Sequence, residues 1–155
     1  MGKEIERKFL VHPRKWSDLG PGLEIRQGYL SASKLSSVRV RTYGDKAYVT
    51  IKGSTKDITR DEYEYEIPLN DANEILASLC EHPPIEKTRY RIVFKGHTWE
   101  VDEYSGANSG LTVAEVELKD PKETVELPDW IDREVSGDPR YFNSNLSIKP
   151  FSTWK

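Results

Sequence analysis

Glu4, Glu6 and Lys8 stand two residues apart in a Glu-x-Glu-x-Lys run near the start of the chain. Side chains of an extended strand alternate between its faces, so these three project from one side. Five further stretches repeat the alternation: Val38-Arg39-Val40-Arg41, Val49-Thr50-Ile51-Lys52, Glu62-Tyr63-Glu64-Tyr65-Glu66, Lys87-Thr88-Arg89-Tyr90-Arg91 and Glu115-Val116-Glu117-Leu118. Each puts its charges on one face and mostly apolar groups on the other. Arg39 and Arg41 carry the paired donors that grip phosphate oxygens best. Three glutamates on one strand face repel one another and call for cations from a neighbouring strand or a metal. Strands of this kind arranged together line a cavity with carboxylates, guanidiniums and ammoniums, which suits a metal bound to a polyanion.

A plainer reading competes for any single stretch, because an antiparallel sheet often keeps one solvated, charged face. Taken as a set, the stretches favour an enclosed site: a wet face uses Lys, Thr and Ser more than paired arginines. The metal is constrained by its donors. The three histidines, His12, His82 and His97, have no paired spacing, and there is one cysteine. Carboxylates therefore supply the ligands, with Glu4 and Glu6 on one strand, Glu115 and Glu117 on another, and Asp102 beside Glu100 as further candidates. Hard oxygen donors select Mg²⁺ or Mn²⁺ over Zn²⁺. Other phosphate machinery is missing. Gly53-Ser54-Thr55-Lys56 lacks the order of a phosphate-binding loop, and neither a kinase signature nor a Gly-x-Ser-x-Gly elbow occurs.

The elements that must hold these residues are mostly strands. Strands are expected over 3–11, 23–31, 36–43, 46–52, 60–67, 86–95, 97–104 and 111–119. Hairpins turn at Gly44-Asp45 and at Gly96. The Pro- and Gly-containing segment 12–22 reads as a loop with a short helical turn around Trp16. One helix is expected over 70–80, capped by Asn70 or Asp71 and striped by Ile75, Leu76 and Leu79. A second helical segment follows Asp138-Pro139. Hairpin connections make the strands antiparallel. Closing them into a mainly β, eight-stranded barrel removes the sheet edges and puts the charged face inside. The outward apolar face then needs covers, for which the helix over 70–80 and the C-terminal segment are available.

The chain of 155 residues reads as a single domain, 1–155. Charged residues make up 32% and hydrophobic residues 36%, polar for a globular domain yet too aromatic and too patterned for disorder. A formal net charge of −3 argues against a general nucleic-acid binder. Cys80 cannot form an intrachain disulfide and reads as a packing residue. The charged start does not read as a signal peptide, and no apolar run is long enough to cross a membrane. A cytoplasmic protein with no membrane or nucleic-acid partner is expected, and a homodimer is compatible with the sequence.

The ordered set of motifs resembles the CYTH, or triphosphate tunnel metalloenzyme, superfamily. It comprises Glu4-x-Glu6-x-Lys8, Gln27-Gly28-Tyr29-Leu30, Arg39-x-Arg41, Thr50-Ile51-Lys52, Glu62-x-Glu64-x-Glu66, Lys87-x-Arg89, Asp102 and Glu115-x-Glu117, and spans nearly the whole chain. The resemblance implies an eight-stranded tunnel that binds triphosphates with Mg²⁺ or Mn²⁺. It implies that Glu4, Glu6 and Glu117, with Glu115 beside them, hold the metal. Lys8, Arg39, Arg41, Lys52, Lys87 and Arg89 would contact phosphate. Lys8 would also serve catalysis, and Glu64 and Asp102 would hold a second metal or orient the attacking water. Tyr29 would sit near one mouth, and the segment 141–146 would close one end. The implied activity is hydrolysis of inorganic tripolyphosphate to pyrophosphate and phosphate. The alternatives are an adenylate cyclase, a thiamine or nucleoside triphosphatase, or a non-catalytic polyphosphate-binding module. Residues that would clearly position adenine and ribose are not found.

Overall fold

The computed structural model describes residues 2–12 and 20–154. The expected turn around Trp16 lies outside them. The strands are β1 (Lys3–Val11), β2 (Leu23–Ala32), β3 (Ser36–Tyr43), β4 (Lys46–Gly53), β5 (Thr59–Ile67), β6 (Ile85–Phe94), β7 (His97–Tyr104), β8 (Thr112–Glu117) and β9 (Ile131–Glu134). They run in the order β5-β4-β3-β2-β6-β7-β8-β1-β9, and a further β5–β1 pairing joins the ends of the first eight. The result is the expected closed antiparallel barrel of eight strands with one strand added. That strand, β9, is not among the strands expected from sequence, and it pairs with the far half of β1.

Turn chemistry agrees with the hairpins. Gly44 has φ 61°, and Lys95 and Gly96 have φ 46° and 84°, the left-handed conformations that a two-residue hairpin turn demands. The first helix, α1, spans Leu69–Ser78 and begins at Pro68 with no side-chain cap, so neither Asn70 nor Asp71 caps it. Proline serves here because the first amide of a helix has no intrahelical partner to lose. The C-terminal segment forms a 3-10 turn over Pro139–Tyr141, then α2 (Asn143–Ile148).

The apolar outer face is covered in two places. Ala72 and Leu76 of α1 pack on Val40 and Ala47 of β3 and β4, as the sequence suggests. On the opposite side Phe9, Trp99, Val101, Ala114 and Val116 are covered by Leu118, Val125, Trp130 and Ile131. The principal cover there is thus the Pro-containing segment after β8, not the C-terminal helix. Trp99 stacks edge-on with Trp130 at 5.8 Å and tilts against Phe9 at 5.5 Å. Leu146 of α2, completely buried, instead joins inward-facing Ile85, Tyr104 and Val113, so the C-terminal segment plugs one end of the barrel. Among the described residues no helix is long and apolar enough to cross a membrane.

Candidate active site

The inward faces of the strands line a cavity of about 170 Å³. Its lining has seven glutamates, five cationic side chains and one uncharged residue, Asn143. The alternation in sequence explains this. In β1, Glu4, Glu6 and Lys8 turn inward while Ile5 and Phe9 pack outward. The same parity turns Arg39, Arg41, Thr50, Lys52, Glu62, Glu64, Glu115 and Glu117 inward from β3, β4, β5 and β8.

Ring order decides what faces what. β8 and β3 lie four strands apart in a ring of eight. The carboxylates of Glu115 and Glu117 therefore look across the bore at Arg39 and Arg41. On the acidic side, Glu6 lies directly opposite Glu117, and Lys8 opposite Glu115, in the β1–β8 register. Glu4 is claimed by Lys52 at 3.1 Å and by Arg60 at 3.1 Å. Glu115 is claimed by Lys8 at 3.3 Å and Arg89 at 3.5 Å. Burial opposes the charge on both carboxylates, yet these cations outweigh it and hold both carboxyls below their ordinary range, Glu115 far below. Glu6 pairs with no described cation. Burial, then the Glu115 and Glu4 charges, push its carboxyl up to about 8. Glu117 is raised for the same kind of reason, burial first and then Glu4 and Glu100.

On the basic side, Arg39 and Arg41 share one carboxylate. Glu64 lies 3.8 Å from Arg39 and 3.5 Å from Arg41, and accepts a 2.7 Å hydrogen bond from the Thr50 hydroxyl. Arg41 also lies over the Tyr43 and Tyr48 rings at 5.3 and 5.6 Å. Burial, then the charges of Arg39 and Arg89, lower its guanidinium from the ordinary value. Cationic charge is in excess at this wall, which favours an anionic ligand.

Lys87 and Asp102 lie behind the cavity wall. Asp102 accepts two hydrogen bonds from Arg89, at 2.7 and 2.8 Å, and pairs with Lys87 at 2.8 Å. Both residues are only 2% exposed. Lys8 opens instead on an adjoining chamber that shares Glu4, Glu6 and Arg60 with the main cavity and is also lined by Tyr29 and Phe142. Its ammonium donates to the Tyr141 carbonyl at 3.2 Å and sits over the Phe142 ring, which ties the C-terminal plug to the site. The main cavity thus gathers Glu4, Glu6, Glu115, Glu117, Glu64, Arg39, Arg41, Lys52 and Arg89 of the residues expected from sequence. It also contains Arg60, which sequence reasoning missed. Arg60 precedes Glu62 by two residues, so extending the period-two pattern one step back finds it, and its Cα pairs with that of Glu4.

Among the described residues no three carboxylate, histidine or cysteine side chains stand close enough to form a ready metal cage. The cause is visible in the ion pairs: Glu4 and Glu115 are drawn toward lysine and arginine. The donor set nevertheless fits a hard divalent cation. Its members are carboxylates, and Glu6 and Glu117, the pair with raised carboxyls, lack cationic partners among the described residues.

The CYTH domain family matches residues 2–143. The chain is 55% identical to an inorganic triphosphatase of Acetivibrio thermocellus, over 100% of this chain and 99% of that one. It is also similar to the crystal structure of the inorganic triphosphatase NE1496, with a TM-score of 0.67 and 32% identity over 96% of each chain. A protein of Pyrococcus furiosus shares the fold at a TM-score of 0.59 and 21% identity, over 76% of this chain and 79% of that one. A barrel whose bore carries these charges, matched along nearly its whole length, places the chain in the CYTH domain family.

Proposed function

We propose that this chain is a divalent-metal-dependent triphosphatase that hydrolyses inorganic tripolyphosphate to pyrophosphate and phosphate within the barrel. The observation that carries the reading is the bore itself, where the under-neutralised Arg39 and Arg41 face Glu115 and Glu117 across the cavity. The kinship with the inorganic triphosphatase of Acetivibrio thermocellus supports it. Residues 1–155 form one domain of this type.

Phosphoryl transfer depends chiefly on positioning and on neutralising charge spread over the phosphate oxygens. Arg39, Arg41, Lys52 and Arg89 line the cavity and grip those oxygens. Lys8 holds the chain from the adjoining chamber, and Lys87 supports the grip from behind the wall. In this structure Lys52 and Arg60 rest on Glu4, and Lys8 and Arg89 on Glu115. A triphosphate draws those cations onto its own oxygens and releases the carboxylates. Glu4, Glu6, Glu115 and Glu117 are then free to hold Mg²⁺ or Mn²⁺. The metal supplies Lewis-acid charge against the phosphates when bound.

Glu64 reaches the cavity and orients the attacking water. The water oxygen bonds to a terminal phosphorus as the Glu64 carboxylate takes one of its protons, and the bond from that phosphorus to the bridging oxygen breaks. The leaving pyrophosphate is stabilised by the surrounding cations. Asp102 acts through Arg89 and Lys87, whose positions it holds.

The test is phosphate release from tripolyphosphate, ATP and thiamine triphosphate, each with Mg²⁺, Mn²⁺ or a chelator. Metal-dependent release that is fastest from tripolyphosphate is expected. Tight binding without turnover under any metal replaces the reading by a binding module. Cyclic AMP as the product from ATP replaces it by a cyclase.

A further inference from the structure

Gln27 is completely buried, and among the described residues neither atom of its side-chain amide has a hydrogen-bond partner. It lies on the inward face of β2, and its Cα pairs with that of Arg41 on β3. The Arg41 Nε is also buried and has no hydrogen-bond partner among the described residues. An orphaned acceptor and an orphaned donor thus stand on directly opposed positions of adjacent strands, where side chains are near enough to meet. Leaving both unsatisfied is costly, so such a pair in a native barrel calls for a state in which it closes. Arg41 is loosely held. Its only described ion pair is the 3.5 Å contact with Glu64, a carboxylate that Arg39 and Thr50 also use.

We propose that Gln27 is a positioning residue for Arg41: when a triphosphate draws the arginine away from Glu64, the Gln27 Oε1 accepts a hydrogen bond from the Arg41 Nε and aims the terminal guanidinium nitrogens at the phosphate. The bond forms on the Nε side and leaves both terminal nitrogens for the anion, the geometry that bidentate grip requires. The inference rests on the triphosphate reading above and adds a residue outside the cavity lining.

The experiment compares Gln27→Met with the unaltered protein, alone and in an Arg41→Lys background. Methionine keeps the volume and removes both polar atoms. The proposal predicts that the thermal midpoint of the metal-free, substrate-free protein does not fall, because an unsatisfied amide is removed. It predicts that KM for tripolyphosphate rises about tenfold or more, the scale of one hydrogen bond to a charged group. The change in kcat should be smaller. In the Arg41→Lys background, where no Nε donor exists, Gln27→Met should shift KM by less than about twofold. An unchanged KM, an equal KM loss in both backgrounds, or a variant that loses stability or fails to fold overturns the proposal. Turnover of tripolyphosphate by the unaltered protein is measured beside it. An inactive parent overturns the triphosphatase reading, whereas an active parent with an indifferent Gln27→Met overturns only the role of Gln27.

Discussion

Glu6 and Glu117 lie directly opposite one another on β1 and β8, two acidic side chains on the same inward face with no described cation on either. Like charges so placed destabilise a sheet. Burial, and then the charges of Glu115 and Glu4, push the Glu6 carboxyl up to about 8 in the folded barrel. The sign follows directly. Between the ordinary value of 4.5 and about 8, the folded protein binds a proton that the unfolded chain has lost. Stability contributed by this group therefore falls as pH rises through that window. Glu6→Gln should flatten the fall in chelated protein and raise its thermal midpoint at pH 8, while lowering metal-dependent turnover. Thermal melts in a chelator from pH 5 to 9, beside phosphate release at limiting metal, check both halves. A lower midpoint for the variant would contradict the assignment.

Lys87 titrates in the working range. Burial first, and then the neighbouring Arg89, lower its ammonium from 10.5 to about 8, despite the 2.8 Å contact with Asp102. Arg89 competes for the same carboxylate, which is why the contact does not restore the ordinary value. The folded site is neutral above about pH 8 while the unfolded chain stays charged up to 10.5. The stability contribution is thus present above 10.5 and lost as pH falls through 8. Function runs the other way. Loss of the positive charge above pH 8 should weaken the hold on triphosphate, so KM at saturating metal rises there. Lys87→Arg should move that rise to higher pH, as read from the pH profile of KM.

Glu64 and Asp102 should part in their effects. Glu64 lines the cavity and is shared between two arginines. Glu64→Gln should lower kcat about 10²- to 10⁴-fold, the range for a positioned proton-handling group, and shift stability little. Asp102 is buried between Arg89 and Lys87. Asp102→Asn leaves both with a neutral partner and should cost several kcal/mol, about 3–5 for breaking a buried pair. Urea melts of the two variants beside single-turnover rates separate them. Equal stability losses would remove the distinction.

Gly28 sets how closely α1 approaches the barrel. A Cβ added there would overlap the Cys80 Sγ and crowd Leu76. Gly28→Ala should cost about 1–3 kcal/mol through overpacking. The loss should shrink in a Cys80→Ala background, where the overlapping sulfur is gone. Urea denaturation of the four proteins in that cycle tests it, and additive losses would argue that the clash lies elsewhere.

Much of this protein was legible because its strands obey a period of two. Glu4, Glu6 and Lys8, Arg39 and Arg41, and Glu115 and Glu117 share a face by parity alone, and parity survives folding. The hairpins at Gly44-Asp45 and at Gly96 were legible because a left-handed backbone conformation favours glycine. The unusual number of inward charges pointed to a closed barrel, since only enclosure gives so many paired cations and carboxylates a common occupant.

Tertiary structure decided what parity leaves open. Parity assigns a face but not a neighbour, and neighbours depend on ring order and register. Ring order set Arg39 and Arg41 across the bore from Glu115 and Glu117. Register set Glu6 against Glu117, gave Glu4 to Lys52 and Arg60, and placed the orphaned Gln27 beside Arg41. Packing drew Lys87 and Asp102 behind the wall, where local sequence gives no sign of depth. It also recruited Val125, Trp130 and Ile131 from the Pro-containing segment after β8 to cover Trp99. Burial there follows from which surfaces the closed barrel leaves apolar and uncovered. Those surfaces exist only once strands distant in sequence have been brought side by side.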